Sequence, residues 1–261
     1  MRLNISRLSG SRRRKFLRAI LTTREQTRRL ARAYMLPVNY WQTVATDTLL
    51  PSYRRALAEI TQDDAADLRD DIDRADAGTV SASLSWRELM RTIFQDISVW
   101  HFRRFVGNLR YATDIDLGTL LSPDSQAETV QTVLQRNVSL IRSVSDQTRD
   151  RIADIVFRGL TARTPVDQVA KEIRDAVGLS RDRARRIASD QMAKLSAALD
   201  EARMKEIGID KFRWRHSGKV HYRPWHKERD GKVFAWDDPA IAGDKPGFAP
   251  FCACKAEALL E

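Results

Sequence analysis

The sequence predicts a mostly α-helical protein with a small β-rich subdomain at its C-terminus, an α+β fold class. Two observations lead to this prediction. Apolar residues recur at helical spacing from about residue 11 to residue 207, and capping residues and glycines stand at suitable ends. After Gly208 the apolar pattern changes towards alternation, and tryptophan, histidine, proline and cysteine become concentrated.

Four helices are predicted in the N-terminal half, each with apolar residues every three or four positions. They cover residues 11–36, 41–50, 53–74 and 86–111. Because proline lacks an amide hydrogen and fixes φ, Pro37 is expected to end the first helix and Pro51 to interrupt the second. The run Ala77-Gly78-Thr79 is expected to separate the third from the fourth.

A loop at residues 114–123 leads to four more predicted helices, which cover residues 124–142, 146–160, 165–177 and 181–207. Thr164-Pro165 is a capping residue followed by proline in the first turn, and Gly178 and Ser180 are expected to end one helix and cap the next. Three short strands follow, at residues 209–216, 232–236 and 251–256.

The positive charge is concentrated at the N-terminus. Residues 1–37 contain eleven basic residues and one acidic residue, which equals the formal net charge of +10 of the whole chain. An arginine-rich arm attracts polyanions such as nucleic acid or an acidic protein surface; the alternative is a merely solvated leader. The candidate contact residues are Arg12, Arg13, Arg14, Lys15, Arg18, Arg28 and Arg29.

No apolar run is long enough for a membrane span, and basic residues occupy the position of a signal-peptide core, so we expect a cytosolic protein. The last 48 residues nevertheless hold both cysteines and three of the four histidines. Residues two apart in a strand face the same side, so Cys252 and Cys254 could share a structural zinc ion with His226 and His221. Alternatively, the cysteines are small buried hydrophobic residues.

A catalytic reading of the same segment has less support. His226 with Asp230, Asp237 and Asp238 could form a metal-dependent nuclease site, but no recognised catalytic motif accompanies them. The Asp230-Gly231 pair is more simply interpreted as a tight turn before a strand. We therefore expect that the protein is not an enzyme.

The order of these C-terminal features resembles the phage Mu F-like family of head morphogenesis, or minor capsid, proteins. In that family a tryptophan strand precedes a Cys/Arg-Pro-x-Cys/His step, a Gly-Lys-x-Phe turn, Pro-Gly and a final Asn-Cys-Arg-Cys. The matching positions are Trp214, Arg223, Pro224, His226, Asp230, Gly231, Phe234, Pro246, Gly247, Cys252 and Cys254. The likeness covers about residues 135–257, roughly half of the chain.

The chain departs from the family pattern at three positions. Phe251 and Ala253 stand where the family has asparagine and arginine. Arg223 stands where some members have a cysteine, and because arginine cannot coordinate zinc, His221 or His216 would have to supply the missing ligand.

The resemblance implies a virion protein of a tailed bacteriophage or prophage. Such a protein would associate in several copies with the portal inside the head, would be made in the host cytoplasm, and would aid head assembly, DNA packaging or ejection. Other implied partners are the major capsid or scaffolding protein and genomic DNA. The alternative from the residues is a virion protein that binds nucleic acid non-specifically through its arginine-rich arm.

Four regions follow from these observations. They are a basic helical arm at residues 1–37, a helical portal- or partner-docking region at 38–120, the helical part of the Mu F-like domain at 121–208, and a β-rich motif at 209–261.

Overall fold

A computed structural model describes residues 16–59, 64–114 and 116–260. Within these residues the chain forms six α-helices and three β-strands. The helices are α1 (Arg24–Val44), α2 (Leu50–Glu59), α3 (Asp64–Thr113), α4 (Ala127–Ala162), α5 (Val166–Glu206) and α6 (Pro224–Glu228). The strands are β1 (Lys211–Arg215), β2 (Val233–Ala235) and β3 (Lys255–Ala258). The predicted class, mostly α with a small C-terminal β-rich subdomain, is confirmed.

The chain divides into two compact units, and each combines separated segments. The strand-bearing unit consists of the described residues up to Thr27, of Thr92–Leu134 and of the residues from Ser189 onwards. The helical unit consists of Arg28–Arg91 and Gln135–Ala188. Helices α1, α3, α4 and α5 each contribute residues to both units. This division therefore does not follow the four successive regions predicted from the sequence, whose roles remain predictions.

The core of the helical unit is closed by large aromatic side chains with polar ends. Trp41 is fully buried, and its indole N–H donates to the Ser145 hydroxyl at 3.0 Å. Tyr53 donates its hydroxyl to the Thr164 carbonyl at 2.7 Å. Since a buried polar atom without a partner is costly, these bonds allow the rings to fill the core without an unpaired N–H or O–H.

The strand-bearing unit contains an antiparallel sheet in the order β2-β1-β3. Phe212 and Trp214 of the central strand are fully buried, because residues two apart in a strand point to the same face. Trp236 packs on Phe212 with ring centroids 4.2 Å apart. Apolar residues of α3 and α5, such as Phe105 and Met204, complete this core.

The predicted helix over residues 11–36 is wrong in its described part before Arg24. The segment from Phe16 runs beside the C-terminal strand, and the Leu17 amide donates to the Ala258 carbonyl at 2.9 Å. Helix α1 begins only after a reciprocal cap. The Gln26 amide donates to the Thr23 hydroxyl at 3.1 Å, and the Thr23 amide donates to the Gln26 side chain at 2.8 Å.

Helix interruptions predicted from proline and glycine are also wrong. Pro37 lies inside α1, and Pro51 falls in the first turn of α2, just after a π-helical turn, where a missing N–H costs little. Gly78 lies inside α3. A side chain at this position would collide with Tyr40, whose hydroxyl would be 2.6 Å from the added Cβ, and this explains the glycine. This glycine permits close packing within the helical unit and does not break the helix.

The remaining elements follow the predictions with two differences. Residues predicted as paired helices form the single helices α4 and α5, so Gly178 and Ser180 lie within α5. The third strand begins at Lys255, four residues later than predicted, since Phe251 adopts a left-handed backbone conformation with φ 57°. Among the described residues, none of the helices combines the length and apolar composition needed to cross a bilayer.

Candidate functional site

The C-terminal cysteines and one histidine meet beside the central strand. Arg223 has extended backbone angles and Pro224 occupies the first turn of α6, so the short helix starts at a defined position. His226 on this helix is 2% exposed. Its ring packs edge-on against Trp214 of β1, with centroids 5.1 Å apart.

His226 directs one ring nitrogen at both thiols. Its Nδ1 atom lies 3.4 Å from Cys252 Sγ and 3.7 Å from Cys254 Sγ. One ligand atom from each of these residues lies within 4.8 Å of the other two, and all three side chains are buried. Over the part of the chain that the structure describes, this is the one group of three or more potential metal ligands. We call it the Cys-His group.

Asp244 holds the other nitrogen of the His226 ring. His226 Nε2 lies 2.9 Å from the Asp244 carboxylate, which also accepts hydrogen bonds from Arg229 at 2.7 Å and from the Trp225 indole at 3.0 Å. Burial raises the pKa of Asp244, but the hydrogen bonds from these three side chains outweigh burial and leave the pKa below its usual value. The carboxylate therefore stays ionised and fixes the orientation of the imidazole.

The two thiols differ in acidity because they share a hydrogen bond. The bond from Cys254 lowers the pKa of Cys252, and backbone N–H groups of Cys254 and Gly247 lower it further against the effect of burial. The same bond between the thiols, together with burial, raises the pKa of Cys254. Neither cysteine is in a disulfide. The shared hydrogen bond thus makes Cys252 the more acidic of the two thiols.

The structure does not bring His221 into the Cys-His group. Its side chain is exposed on the loop before α6. His216 is outside the group as well, and its Nδ1 accepts a hydrogen bond from the Gly218 amide at 3.2 Å. Neither substitute ligand considered from the sequence therefore joins the group, and Arg223 donates to the Pro250 carbonyl at 3.1 Å.

The aspartates considered for a nuclease site have local structural contacts. Asp230 accepts from the His216 amide at 2.9 Å, and Asp238 caps a turn by accepting from the Ala240 amide at 2.9 Å. Asp237 is exposed. None of the three joins the group that contains His226, so the structure does not assemble the carboxylate cluster that such an enzyme would need.

Other motif residues hold the chain in position around the Cys-His group. Gly231 has φ 79°, and its amide donates to the Trp214 carbonyl at 2.9 Å. Gly247, after Pro246, has φ 85° and lies so close to α5 that an added Cβ would be 2.7 Å from Ala197 Cβ. Phe234 of β2 packs near Trp214, with centroids 6.1 Å apart.

Phe251 occupies a strained position that the sequence did not reveal. Its φ of 57° is unfavourable for a residue with a bulky side chain, and the ring is 59% exposed. Asp190 accepts the Phe251 amide at 2.6 Å, and Lys219 donates to the Phe251 carbonyl at 3.1 Å. These contacts stabilise the turn that leads into the cysteines.

The basic arm is described only in part. Arg12, Arg13, Arg14 and Lys15 lie outside the described residues. Arg18 and Arg28 are exposed, and Arg29 is half-buried. The positive charges of Arg18 and Arg28 are therefore accessible to a polyanion.

The sequence interpretation missed Asp244, the carboxylate that orients His226. It lies eighteen positions after the histidine, in a glycine-proline loop, and no motif spacing marks it. Asp190 was missed for the same reason, because its contact with Phe251 joins distant parts of the chain.

The fold and the site together define a class of protein. It is a helical chain with a C-terminal three-stranded sheet and a buried Cys-His group. Residues 150–257 match the family model described as phage Mu protein F like protein, and this part of the chain is a Mu F-like domain. The resemblance stated from the motif residues is thereby confirmed. Such a domain indicates a protein of bacteriophage head morphogenesis.

One relative comes from Haemophilus influenzae and is described as an uncharacterized protein. It is 35% identical over 149 residues, which are 56% of this chain and 33% of the relative. The chain thus spans about a third of the length of this relative. No solved structure gives a significant match.

Proposed function

We propose that this protein is a minor head protein of a tailed bacteriophage or prophage. It associates in several copies with the portal inside the head and aids head assembly, DNA packaging or ejection. Its role is structural and not enzymatic. Portal binding is direct, whereas the major capsid or scaffolding protein and the genome are secondary partners.

The Mu F-like domain at residues 150–257 is the observation that carries this proposal. Its motif residues support a structural role, because Trp214, His226 and the two cysteines are buried and pack against one another. A catalytic centre needs reactive groups that a substrate can reach, and these groups are enclosed.

Exposed apolar side chains near the Cys-His group support association with a protein partner. Val220, Trp225 and Phe251 are 87%, 49% and 59% exposed. Large apolar side chains that stay exposed are typical of protein interaction sites, and Trp225 and Phe251 directly adjoin His226 and Cys252 in the chain. Phe251 is also held by Lys219 and Asp190, so its ring is presented on a fixed backbone.

Co-purification with the portal protein tests the proposal. The full chain is expected to bind assembled portal rings and to be found in purified virions. Truncation near residue 130 would be unsuitable, since both units combine segments from either side of that position. Point substitutions avoid this problem. A variant with Val220 and Phe251 replaced by alanine is expected to weaken portal binding roughly tenfold or more.

A matched control uses exposed apolar residues of the helical unit. Val80 and Leu84 of α3 are each 69% exposed, and their replacement by alanine is expected to leave portal binding unchanged. Circular dichroism and thermal unfolding confirm that each variant is folded. Absence of the wild-type protein from both proheads and mature particles would contradict the proposed function.

Non-specific nucleic-acid binding through the basic arm is the second candidate function. The single observation in its favour is the charge distribution, since residues 1–37 carry the whole net charge of the chain. If each arm cation contacts a phosphate, the logarithm of affinity falls with the logarithm of salt concentration by about 0.9 for each contact.

An arm variant separates the two functions. It replaces Arg12, Arg13, Arg14 and Lys15 by glutamine and keeps Phe16. The control replaces four exposed arginines of the helices by glutamine, namely Arg103, Arg104, Arg136 and Arg142. Loss of duplex affinity in the arm variant alone, with normal incorporation into virions, favours nucleic-acid binding. Loss of incorporation in the arm variant assigns the arm to assembly.

A nuclease assay addresses the remaining possibility of catalysis. The wild-type chain, supplied with Mg²⁺, Mn²⁺ or Zn²⁺, is expected not to cleave single- or double-stranded DNA. Cleavage that disappears in His226→Ala would overturn the non-enzymatic role.

A further inference from the structure

We propose that His226, Cys252 and Cys254 bind one Zn²⁺ through three protein ligands, with Asp244 as the residue that orients the histidine. His221 takes no part in this site. The inference concerns the stability of the domain and does not depend on the proposed role in the phage head.

The distances within the Cys-His group agree with a tetrahedral zinc ion. Zn–S bonds of about 2.3 Å and a Zn–N bond of about 2.0 Å, at tetrahedral angles, place each sulfur roughly 3.5 Å from the nitrogen. The observed separations from His226 Nδ1 to the two sulfurs are 3.4 and 3.7 Å. The two nitrogen-to-sulfur separations therefore match those of a tetrahedral zinc site, and all three donor atoms lie within 4.8 Å of one another.

The contacts around the donors are those that metal ligands need. A zinc-bound histidine usually donates a hydrogen bond from its other ring nitrogen to a carboxylate, and His226 Nε2 lies 2.9 Å from the Asp244 carboxylate. Zinc binds thiolates, which are stabilised by N–H donors. The Cys254 amide lies 3.4 Å from Cys252 Sγ, so the first of the two sulfurs has such a donor.

A buried N–H donor beside Cys254 gives further support. The indole N–H of Trp214 has no nitrogen or oxygen acceptor in the described structure and is directed at the Cys254 side chain. The Trp214 ring lies next to the His226 ring. A buried N–H without an acceptor is costly, and a thiolate on the adjacent cysteine would give it an anionic acceptor.

Donor type selects the metal. Two sulfurs and one imidazole favour zinc over the hard cations Mg²⁺ and Ca²⁺, which require oxygen ligands. Arg223 cannot provide a fourth ligand and is bonded to the Pro250 carbonyl. The fourth position is therefore left to a water molecule or a small anion.

Zinc at this position would join two segments distant in sequence. His226 lies on α6, whereas Cys252 and Cys254 lie in the segment that leads into β3. The metal would attach α6 to the strand that pairs with β1, and its binding free energy would add to the stability of the sheet.

Metal analysis of the full-length protein tests the inference. The reduced protein is stripped with a chelator and titrated with Zn²⁺, and we expect about one equivalent to bind tightly. Replacement by Co²⁺ is expected to give sulfur-to-cobalt charge-transfer absorption in the near ultraviolet and the strong visible bands of tetrahedral cobalt. These bands report thiolate ligation directly in the wild-type protein, so the test does not rely on variants that could unfold.

Variants then identify the ligands. His226→Ala and Cys254→Ser are expected to lose zinc, and the control His221→Ala is expected to retain it with unchanged affinity. Asp244→Asn is expected to retain one equivalent with affinity roughly 10- to 100-fold lower. Loss of zinc in the His221 variant would overturn the ligand set.

A negative result in the wild-type protein is equally clear. Fewer than about 0.1 equivalents of bound zinc on a protein whose two cysteines are both reduced would contradict the proposed zinc site, because all three donor side chains would then be available and would still not bind the metal. The Cys-His group would in that case be held only by hydrogen bonds between the thiols and the imidazole.

Discussion

Replacement of Gly247 by alanine should destabilise the strand-bearing unit more than the same change at Gly231. Both glycines have a left-handed backbone, with φ of 85° and 79°. They differ in surroundings. An added Cβ at Gly247 would be 2.7 Å from Ala197 Cβ and 3.3 Å from the Cys254 carbonyl oxygen, whereas at Gly231 no heavy atom lies within 4 Å.

The two costs can be separated from these distances. Alanine in a left-handed conformation costs about 1–2 kcal/mol, and this cost applies at both positions. Gly247→Ala also forces α5 and the loop apart by about 1 Å, and overpacking of this kind costs roughly 1–3 kcal/mol. We therefore expect the free energy of unfolding to fall by about 1–2 kcal/mol for Gly231→Ala and by roughly 2–5 kcal/mol for Gly247→Ala.

Urea unfolding followed by tryptophan fluorescence measures this difference, since Trp214 and Trp236 are buried in the affected core. Because the chain has two compact units, circular dichroism must be recorded in parallel to detect a second transition. Equal losses of stability in the two variants would refute the close contact between Gly247 and α5.

Three further changes have distinct expected results. The pKa of Asp244 is lower in the folded protein than its ordinary value of 3.8, so its contribution to stability is present above pH 3.8 and is lost as the pH falls through the folded pKa. Asp244→Asn should lower the free energy of unfolding by about 2 kcal/mol at neutral pH. In urea titrations at several pH values, the variant should also show a weaker loss of stability in acid. Phe251→Asn should raise the thermal midpoint through a gain of about 1 kcal/mol, since asparagine tolerates positive φ; an unchanged or lower midpoint would contradict strain at this residue. Arg203 is 1% exposed, burial lowers its pKa to about 10, and its Nε lacks a hydrogen-bond partner in the described structure. Arg203→Met should therefore change unfolding in urea by less than about 1 kcal/mol, whereas Arg203→Ala, which leaves a cavity, should cost about 3 kcal/mol.

Helical content could be predicted from the sequence, but helix ends could not. Apolar spacing indicates that a segment is helical, whereas a proline or glycine within it indicates only a local free-energy cost of forming the helix. That cost is offset when packing requires the helix to continue, as at Pro37 and at Gly78, which lies under Tyr40. The opposite error occurred before Arg24, where apolar residues at helical spacing belong to a segment that runs beside the last strand.

The Cys-His group was predicted in part, for a physical reason. The Cys-x-Cys spacing directs both thiols to one place, so Cys252 and Cys254 could be assigned together from local geometry alone. The choice between His221 and His226 depends on where α6 begins and which of its side chains are buried, and the sequence does not show that His226 lies inside this helix while His221 stays on the exposed loop before it. Asp244 is brought to His226 only by the tertiary fold, so its role appears only in the structure.

Burial divides the Mu F-like domain into residues that hold it together and residues that remain available to a partner. Trp214, His226 and Gly247 are enclosed, so they can influence assembly only through the stability of the domain. Val220 and Phe251 remain exposed and contribute little to the core. Substitutions at the enclosed positions should therefore reduce stability and assembly together, whereas substitutions at the exposed positions should reduce assembly while stability is retained. A variant of an enclosed residue that keeps full stability and loses portal binding would show that the two sets are not separate.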